Sequence, residues 1–302
     1  MIKTLLKTLV LILFISNGIA QTQDTLTQKQ LDSILNTAEK IAYKKNHTDF
    51  YILRKGRIFA SWGYNRSTYG RSDIQFKGDN YDFVIRDAKA QDRPSPFDFD
   101  TYFNPAKFSI PQYNFRLGYF LTNKLSLSLS VDHMKYVLDN EQIATVDGYI
   151  DTARSADWGR EYDNKLMLID KEFVGYEHTD GLNVISVELD YNDLFYESAN
   201  RKFAIDLVAG VGLGAVVPKT NANLFGKIGN DGFHLAGAGI TANVGIKLFF
   251  FKNFFLHPTT KVGYLFMPNV KTNAAKTEGA SQNISFFQGN ITFGYQYKIA
   301  HK

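Results

Sequence analysis

Three groups of residues in this 302-residue sequence have types and spacing that could do chemistry. The first is Gly210-Val-Gly-Leu-Gly214, which has the outline of a phosphate-cradling glycine loop. Such a loop needs a turn into a helix, and here the glycines recur every second residue inside an alternating segment. On a strand that spacing puts all three on one face, where they leave room for bulky side chains opposite. The second group is the six histidines, His47, His133, His178, His234, His257 and His301. They show no metal-ligand spacing. His133 is the one set beside an acid, with Asp132 before it and Lys135 two residues on. The acidic positions Asp73, Asp79, Asp82, Asp87, Asp92, Asp98 and Asp100 lack the ordered spacing of a calcium loop and read as a solvated segment. With no cysteine in the chain, disulfides, thiolate metal sites and a cysteine nucleophile are excluded. Neither a metal nor a cofactor is expected.

The third group is ionic. Arg57, Arg116, Asp132, Glu188, Asp190, Asp206, Lys247, Lys261 and Lys298 share the non-apolar face of segments that alternate with period two. If that face is interior, the charges must pair, because burying them singly costs several kcal/mol each. The expectation is a salt-bridged polar network of Arg57, Arg116, Asp132, Glu188, Asp206, Lys247 and Lys261 that plugs a narrow lumen.

The elements that would position these groups follow from periodicity. Residues 1–20 have a basic start (Lys3, Lys7), an apolar run from Leu9 to Ile15 and small residues at Gly18 and Ala20, the pattern of a cleaved export signal. Leu31, Ile34, Leu35, Ala38, Ile41 and Ala42 lie on one helical face, and Thr27-x-x-Gln30 is a capping box, which predicts a helix over about 28–45. The domain reading is a signal peptide at 1–20, a periplasmic segment at 21–49 and a β-barrel at 50–302. After Phe50 the period becomes two. Strands are expected at 57–66, 108–121, 125–138, 183–197, 202–216, 233–250, 254–268 and 283–299. Their connections alternate in length. Segments 67–107, 139–182, 217–232 and 269–282 are long; Thr122–Lys124, Ser198–Arg201 and Phe251–Asn253 are short. A soluble sandwich has no reason to sort its loops by parity, whereas a membrane barrel has long loops on one side and short turns on the other. The predicted fold is all-β, an antiparallel up-and-down transmembrane β-barrel of eight strands with a short N-terminal helix. The count becomes ten if Ser72–Lys77 and Tyr81–Arg86 also cross the membrane.

Composition agrees. The chain is 44% hydrophobic and 15% aromatic with a net charge of +4, too modest a charge to imply nucleic acid. Its mean hydropathy is nonetheless −0.22, the balance expected when apolar surface faces lipid and charge faces inward. Phe249, Phe250, Phe251, Phe254 and Phe255, with Tyr295 and Tyr297, read as an interfacial aromatic girdle.

The export signal, the sorted loops, the turn Leu121-Thr-Asn-Lys-Leu125 and the last strand Ile291-Thr-Phe-Gly-Tyr-Gln-Tyr297 resemble Gram-negative outer-membrane β-barrel proteins, closest to the small OmpA-like type. The chain ends Ile299-Ala-His-Lys302 where such proteins commonly end in an aromatic residue, and no peptidoglycan-binding domain follows the barrel. The resemblance implies an outer-membrane location, contact with lipid and lipopolysaccharide, and insertion by the barrel-assembly machinery. It implies a structural or surface role, adhesive or ligand-binding, through loops 67–107 and 139–182. In the second of these, Tyr149, Trp158, Tyr162 and Tyr176 suggest a contact surface. Two alternatives stay open: a lipid A-modifying enzyme using His133 and Asp132, and a narrow channel.

Overall fold

A computed structural model describes residues 49–298 except 105, 108, 109 and 231; the expected signal peptide and the helix at 28–45 lie outside the described residues. The strands in chain order are β1 (Arg57–Tyr69), β2 (Ser72–Gly78), β3 (Tyr81–Ala88), β4 (Ala90–Gln91), β5 (Tyr113–Phe120), β6 (Leu125–Leu138), β7 (Gln142–Ile150) and β8 (Arg160–Ile169). Then come β9 (Val174–Glu197), β10 (Phe203–Pro218), β11 (Asn221–Leu224), β12 (Lys227–Asn230), β13 (Gly237–Phe250), β14 (Phe254–Lys271) and β15 (Gly279–Lys298). Two short helices, α1 (Asp49–Ile52) and α2 (Phe99–Phe103), accompany them.

Eight of these strands close a ring in the order β1-β5-β6-β9-β10-β13-β14-β15. Closure is made by β1 and β15, paired antiparallel from Arg57↔Lys298 to Tyr69↔Phe286. The fold is therefore an antiparallel up-and-down barrel. The hairpin β2–β3 is off the ring: β2 pairs only with the beginning of β15, Gly279–Gln282, and with β3. The count is eight, not ten.

The barrel is inside out. Leu117, Leu129, Val187, Leu213 and Ile291 are each more than half exposed on the outer wall, while their strand neighbours Arg116, Ser128, Glu188 and Asn290 are buried inside. This is the transmembrane sense of alternation.

The long connections are folded. From the loop end of β15 the sheet continues through β2, β3, β7 and β8, and on the other side β9 pairs with β11, which pairs with β12. Between them lies a core that includes Phe76, Phe83, Tyr136, Phe173, Tyr176 and Met267. Phe76 stacks on Phe83 at 5.3 Å, and Phe173 packs on Phe83 at 5.6 Å and on Trp158 at 4.9 Å. Two expectations change here. Strand β9 begins at Val174 rather than 183, because Val174, Tyr176 and His178 keep alternating into this core. Tyr162 and Tyr176 are buried and Trp158 packs against the same core, so they hold the domain together; among the four aromatics only Tyr149 is largely exposed.

Phe83→Ala should destabilise this loop-end domain by about 3–5 kcal/mol, the usual cost of an emptied aromatic site. Limited proteolysis should show faster cleavage within 72–169 while the barrel keeps its compact, heat-sensitive gel migration. A second expectation concerns acid. His178 is fully buried against Tyr136 and Tyr176, with Nδ1 at 3.1 Å from Thr220 Oγ1. Desolvation first, and the nearby His234 second, push its pKa down from 6.5 to about 3. The unfolded domain therefore takes up this proton before the folded one does. Stability from this residue is complete above about pH 6.5 and is lost by about 1.4 kcal/mol per unit as the pH falls toward 3. His178→Phe should flatten that part of the pH dependence of domain unfolding, followed by near-ultraviolet circular dichroism.

Candidate functional site

The polar interior of the ring starts from the sequence of β9. Ser186, Glu188, Asp190 and Asn192 point inward in succession, all buried. Their neighbours on both sides are minimal. On β6, Ser130, Ser128 and Ser126 stand opposite Ser186, Glu188 and Asp190; on β10, Gly214, Gly212 and Gly210 stand opposite the same three. A Cβ at Gly210 would lie 2.0 Å from Asp190 Oδ1, and one at Gly212 would lie 2.9 Å from Glu188 Cγ and 2.5 Å from Thr241 Oγ1. The glycine stripe is thus a space-making device for acidic side chains crossing the lumen.

Cations meet those acids from the facing walls. Arg116 on β5 donates through Nη1 to Asp190 Oδ2 at 3.0 Å and through Nη2 to Glu188. Lys261 on β14 donates to Asp132 Oδ2 at 2.5 Å and to Glu188 Oε1 at 2.8 Å. Asn114 donates to Asp132, and Asn243 donates to Asp190 Oδ1 at 3.1 Å. Arg116, Asp132, Glu188, Asp190 and Lys261 therefore form one connected cluster, with Glu188 shared between two cations.

Nearer the short turns the pairing is different. Asp206 on β10 accepts from Arg54 Nη2 at 2.7 Å, both side chains being fully buried. Arg54 precedes the first strand, in the segment after α1, and the chain is pinned there by Asn123, whose Oδ1 accepts from the Arg54 and Lys55 backbone N–H groups at 3.0 Å. Lys247 donates to Asn192 Oδ1 at 2.8 Å and its ammonium lies 4.9 Å from the Phe59 ring centre. Beyond it Tyr51, Phe59, Phe120, Ala204, Phe249 and Phe255 close the turn end with an apolar cluster. The loop end is closed by the aromatic core already described. Between the two seals, a cavity of about 10 Å³ lined by Ser61, Asn114, Asp132, His257 and Lys261 among others has room for one water.

The seven charges picked from the sequence thus separate. Arg116, Asp132, Glu188 and Lys261 meet directly; Asp206 and Lys247 belong to the layer below; Arg57 is buried at the turn end, where its Nε donates to the Leu53 carbonyl at 3.2 Å. Lys298 has inward parity but is exposed, lying past the seal. Arg54 was out of reach of parity because it precedes the strands; the available signal was Asp206, its partner, an inward carboxylate near the turn end. Phe249 and Phe255 leave the expected girdle and face inward, since on a strand every second residue must, while Phe250, Phe251, Phe254, Tyr295 and Tyr297 stay outside.

His133 and Asp132 do not form a pair. Adjacent strand residues point to opposite faces, so Asp132 enters the lumen while His133 lies on the outer side. There its ring stacks on Tyr113 at 5.0 Å and its Nδ1 is 2.8 Å from Asn183 Oδ1. The two side chains therefore share no face of the sheet. Among the described residues no group of His, Asp and Glu could hold a metal ion. Of the acidic positions in the first long connection, Asp73, Asp82, Asp87 and Asp100 are ion-paired to Arg86, Lys77, Arg71 and Lys107. Asp92 accepts from Ser67 N, and Asp98 caps α2.

No protein-family model matches the sequence, and no curated protein does. Solved structures with a similar fold include the outer membrane protein OprG from Pseudomonas aeruginosa, at 11% identity over 83% of this chain and 100% of that one, with a TM-score of 0.40. Ail, the attachment invasion locus protein of Yersinia pestis, is similar at 10% identity over 80% and 99%, with a TM-score of 0.31. Neisserial surface protein A is similar at 9% identity over 81% and 98%, with a TM-score of 0.31.

The shared carboxylate makes the cluster testable. Lys261→Met leaves Asp132 without its cation and Glu188 with one, and should cost about 3–5 kcal/mol, the usual penalty for an orphaned buried charge. Adding Asp132→Asn should recover part of the loss. Guanidinium midpoints of the protein folded into vesicles, read by gel migration, would check both.

Proposed function

We propose that the protein is an exported outer-membrane barrel whose task is display: a closed, load-resistant pedestal that holds the folded loop-end domain at the cell surface for adhesion or ligand binding. In this reading residues 1–20 are removed on export, residues 21–49 remain in the periplasm, the short turns face the periplasm, and the barrel-assembly machinery inserts residues 50–302. Lipid and lipopolysaccharide contact the outer wall. The observation that carries the reading is the lumen, filled by paired charges and capped by apolar clusters at both ends. Such an interior supports neither permeation nor a substrate pocket, which leaves the surface domain as the part able to meet a partner.

Within that domain one face is suited to the task. Strand β8 ends the sheet, its second edge unpaired among the described residues. An unpaired edge offers backbone N–H and C=O groups to an incoming strand. Beside it Ile143, Leu166 and Leu168 are exposed, and Ile143 and Leu168 are cross-strand partners. An exposed apolar row at a free edge is a recognition surface more than a solvated one.

Cells carrying the protein should adhere to immobilised extracellular-matrix proteins, and cells carrying the combined Ile143→Glu, Leu166→Glu and Leu168→Glu variant at equal surface level should not. Equal adhesion by the two would overturn the assignment to this face. In planar bilayers the purified protein should show no unitary conductance; steady channels would overturn the pedestal reading in favour of a pore.

A further inference from the structure

Within the connection between β4 and β5, residues 97–103 lie apart from the loop-end core and are held against the outside of the barrel wall through Tyr102. Tyr64 on β1 is outward by parity, lying between the inward, buried Gly63 and Asn65, and in register with Tyr113 on β5 and the exposed Ile291 on β15. Its hydroxyl donates to the Tyr102 carbonyl, and its ring meets the Tyr102 ring edge-on at 4.8 Å. Arg66, next outward on β1, donates to the Tyr102 hydroxyl at 2.8 Å, and Lys135 on β6 donates to Ser95 Oγ at 3.3 Å. Helix α2 is thus fastened by its buried Tyr102 to the last aromatic of the lipid-facing wall of β1.

Beside this anchor, on α2 and the residues just before it, an apolar row is uncovered. Phe97, Phe99 and Phe103 are 69%, 72% and 67% exposed. They form a row, with Phe97–Phe99 ring centres 5.4 Å apart and Phe99–Phe103 5.5 Å apart. Three adjacent phenylalanines held in water by a tyrosine anchor would be an unusual use of apolar surface. Position argues for the occupant: through Tyr102 the row is joined to the outward Tyr64 of the apolar outer wall, and Arg66 and Lys135, which hold this segment, add positive charge beside it, the pairing a lipid interface favours.

We propose that residues 97–103 form a lipid-contacting foot, inserting Phe97, Phe99 and Phe103 into the outer leaflet beside β1 and β5. The proposal rests on the membrane reading of the barrel. It gives the protein a contact with lipid outside its strand wall, and it ties the height of the surface domain to the leaflet surface.

The test uses the full chain, which has no cysteine, so each of Phe97→Cys, Phe99→Cys and Phe103→Cys carries a single nitroxide. The proteins are folded into phosphatidylcholine vesicles, with gel migration confirming the barrel. Collisions with oxygen, which partitions into lipid, are compared with those of a water-soluble nickel chelate. Leu117→Cys on the outer wall and Ile143→Cys on the surface domain are the references. The expected result is an oxygen-to-nickel ratio at the three positions several-fold above that at Ile143 and close to that at Leu117. A ratio like that of Ile143 places the row in water and overturns the proposal. Low collision rates with both reagents mean that a second copy or another part of the chain covers the row, which also overturns it. If Leu117 itself is open to nickel, the membrane reading fails and the foot fails with it.

Discussion

Burial of carboxylates in a narrow, closed lumen is the constraint on which the remainder of the fold depends. Glu188 and Asp190 sit two residues apart on one strand and are fully buried, and their charges are tolerable there only with cations at contact distance. That demand fixes the flanks of β9, since serines on β6 and glycines on β10 are the side chains small enough to let the acids lean across. It fixes the far walls, which must present Arg116 and Lys261 at the same level. It also explains the apolar seals at each end, because excluding water strengthens every pair between them. Four anions, Asp132, Glu188, Asp190 and Asp206, are buried with five cations, Arg54, Arg57, Arg116, Lys247 and Lys261, so the interior comes close to balancing its own charge.

The second organising fact is inversion. With charge drawn inward, the outer wall is free to be apolar, and the protein's hydrophobic core is displaced to the two ends. Polar residues fill the middle of the ring, aromatic residues fill its ends, and the larger aromatic cluster doubles as the core of the loop-end domain. One set of strands therefore serves two folds stacked end to end, a barrel where the neighbours are ring strands and a layered β-domain where β2, β3, β7, β8, β11 and β12 join them.

Much of this was legible in the residues. Alternation from Leu125 to Val137 located β6 at its observed limits, and the alternation of loop lengths required an even ring. Parity placed Arg116, Asp132, Glu188, Asp206, Lys247 and Lys261 on the inner wall. What parity cannot do is assign level or partner, so it did not separate the Glu188 cluster from the Asp206 layer. Nor does it operate outside strands, which is why Arg54 was missed. The connections were harder still. Tyr162 and Tyr176 look alike in a sequence whether they face solvent or a core, and only the pairing of β3 with β7 and β9 with β11 decides. For His133 and Asp132, adjacent in sequence, parity suffices to set them on opposite faces of the sheet, but not to find the Tyr113 and Asn183 contacts of His133.

The length of β9 has a mechanical consequence. Its 24 residues run from the turn end of the barrel into the loop-end domain, roughly 80 Å of strand at the usual rise per residue. Strands β14 and β15, of 18 and 20 residues, do the same on the far side of the ring. The ladders shift register near the junction, between Met134 and Tyr136 opposite β9 and between Met267 and Val270 on β14, but the strands themselves continue across it. A pull on the domain along these strands would load their hydrogen-bond ladders in shear, many bonds sharing the force together, whereas a domain hung on a flexible loop would peel away one bond at a time. Tether and anchor are thus one continuous piece of sheet.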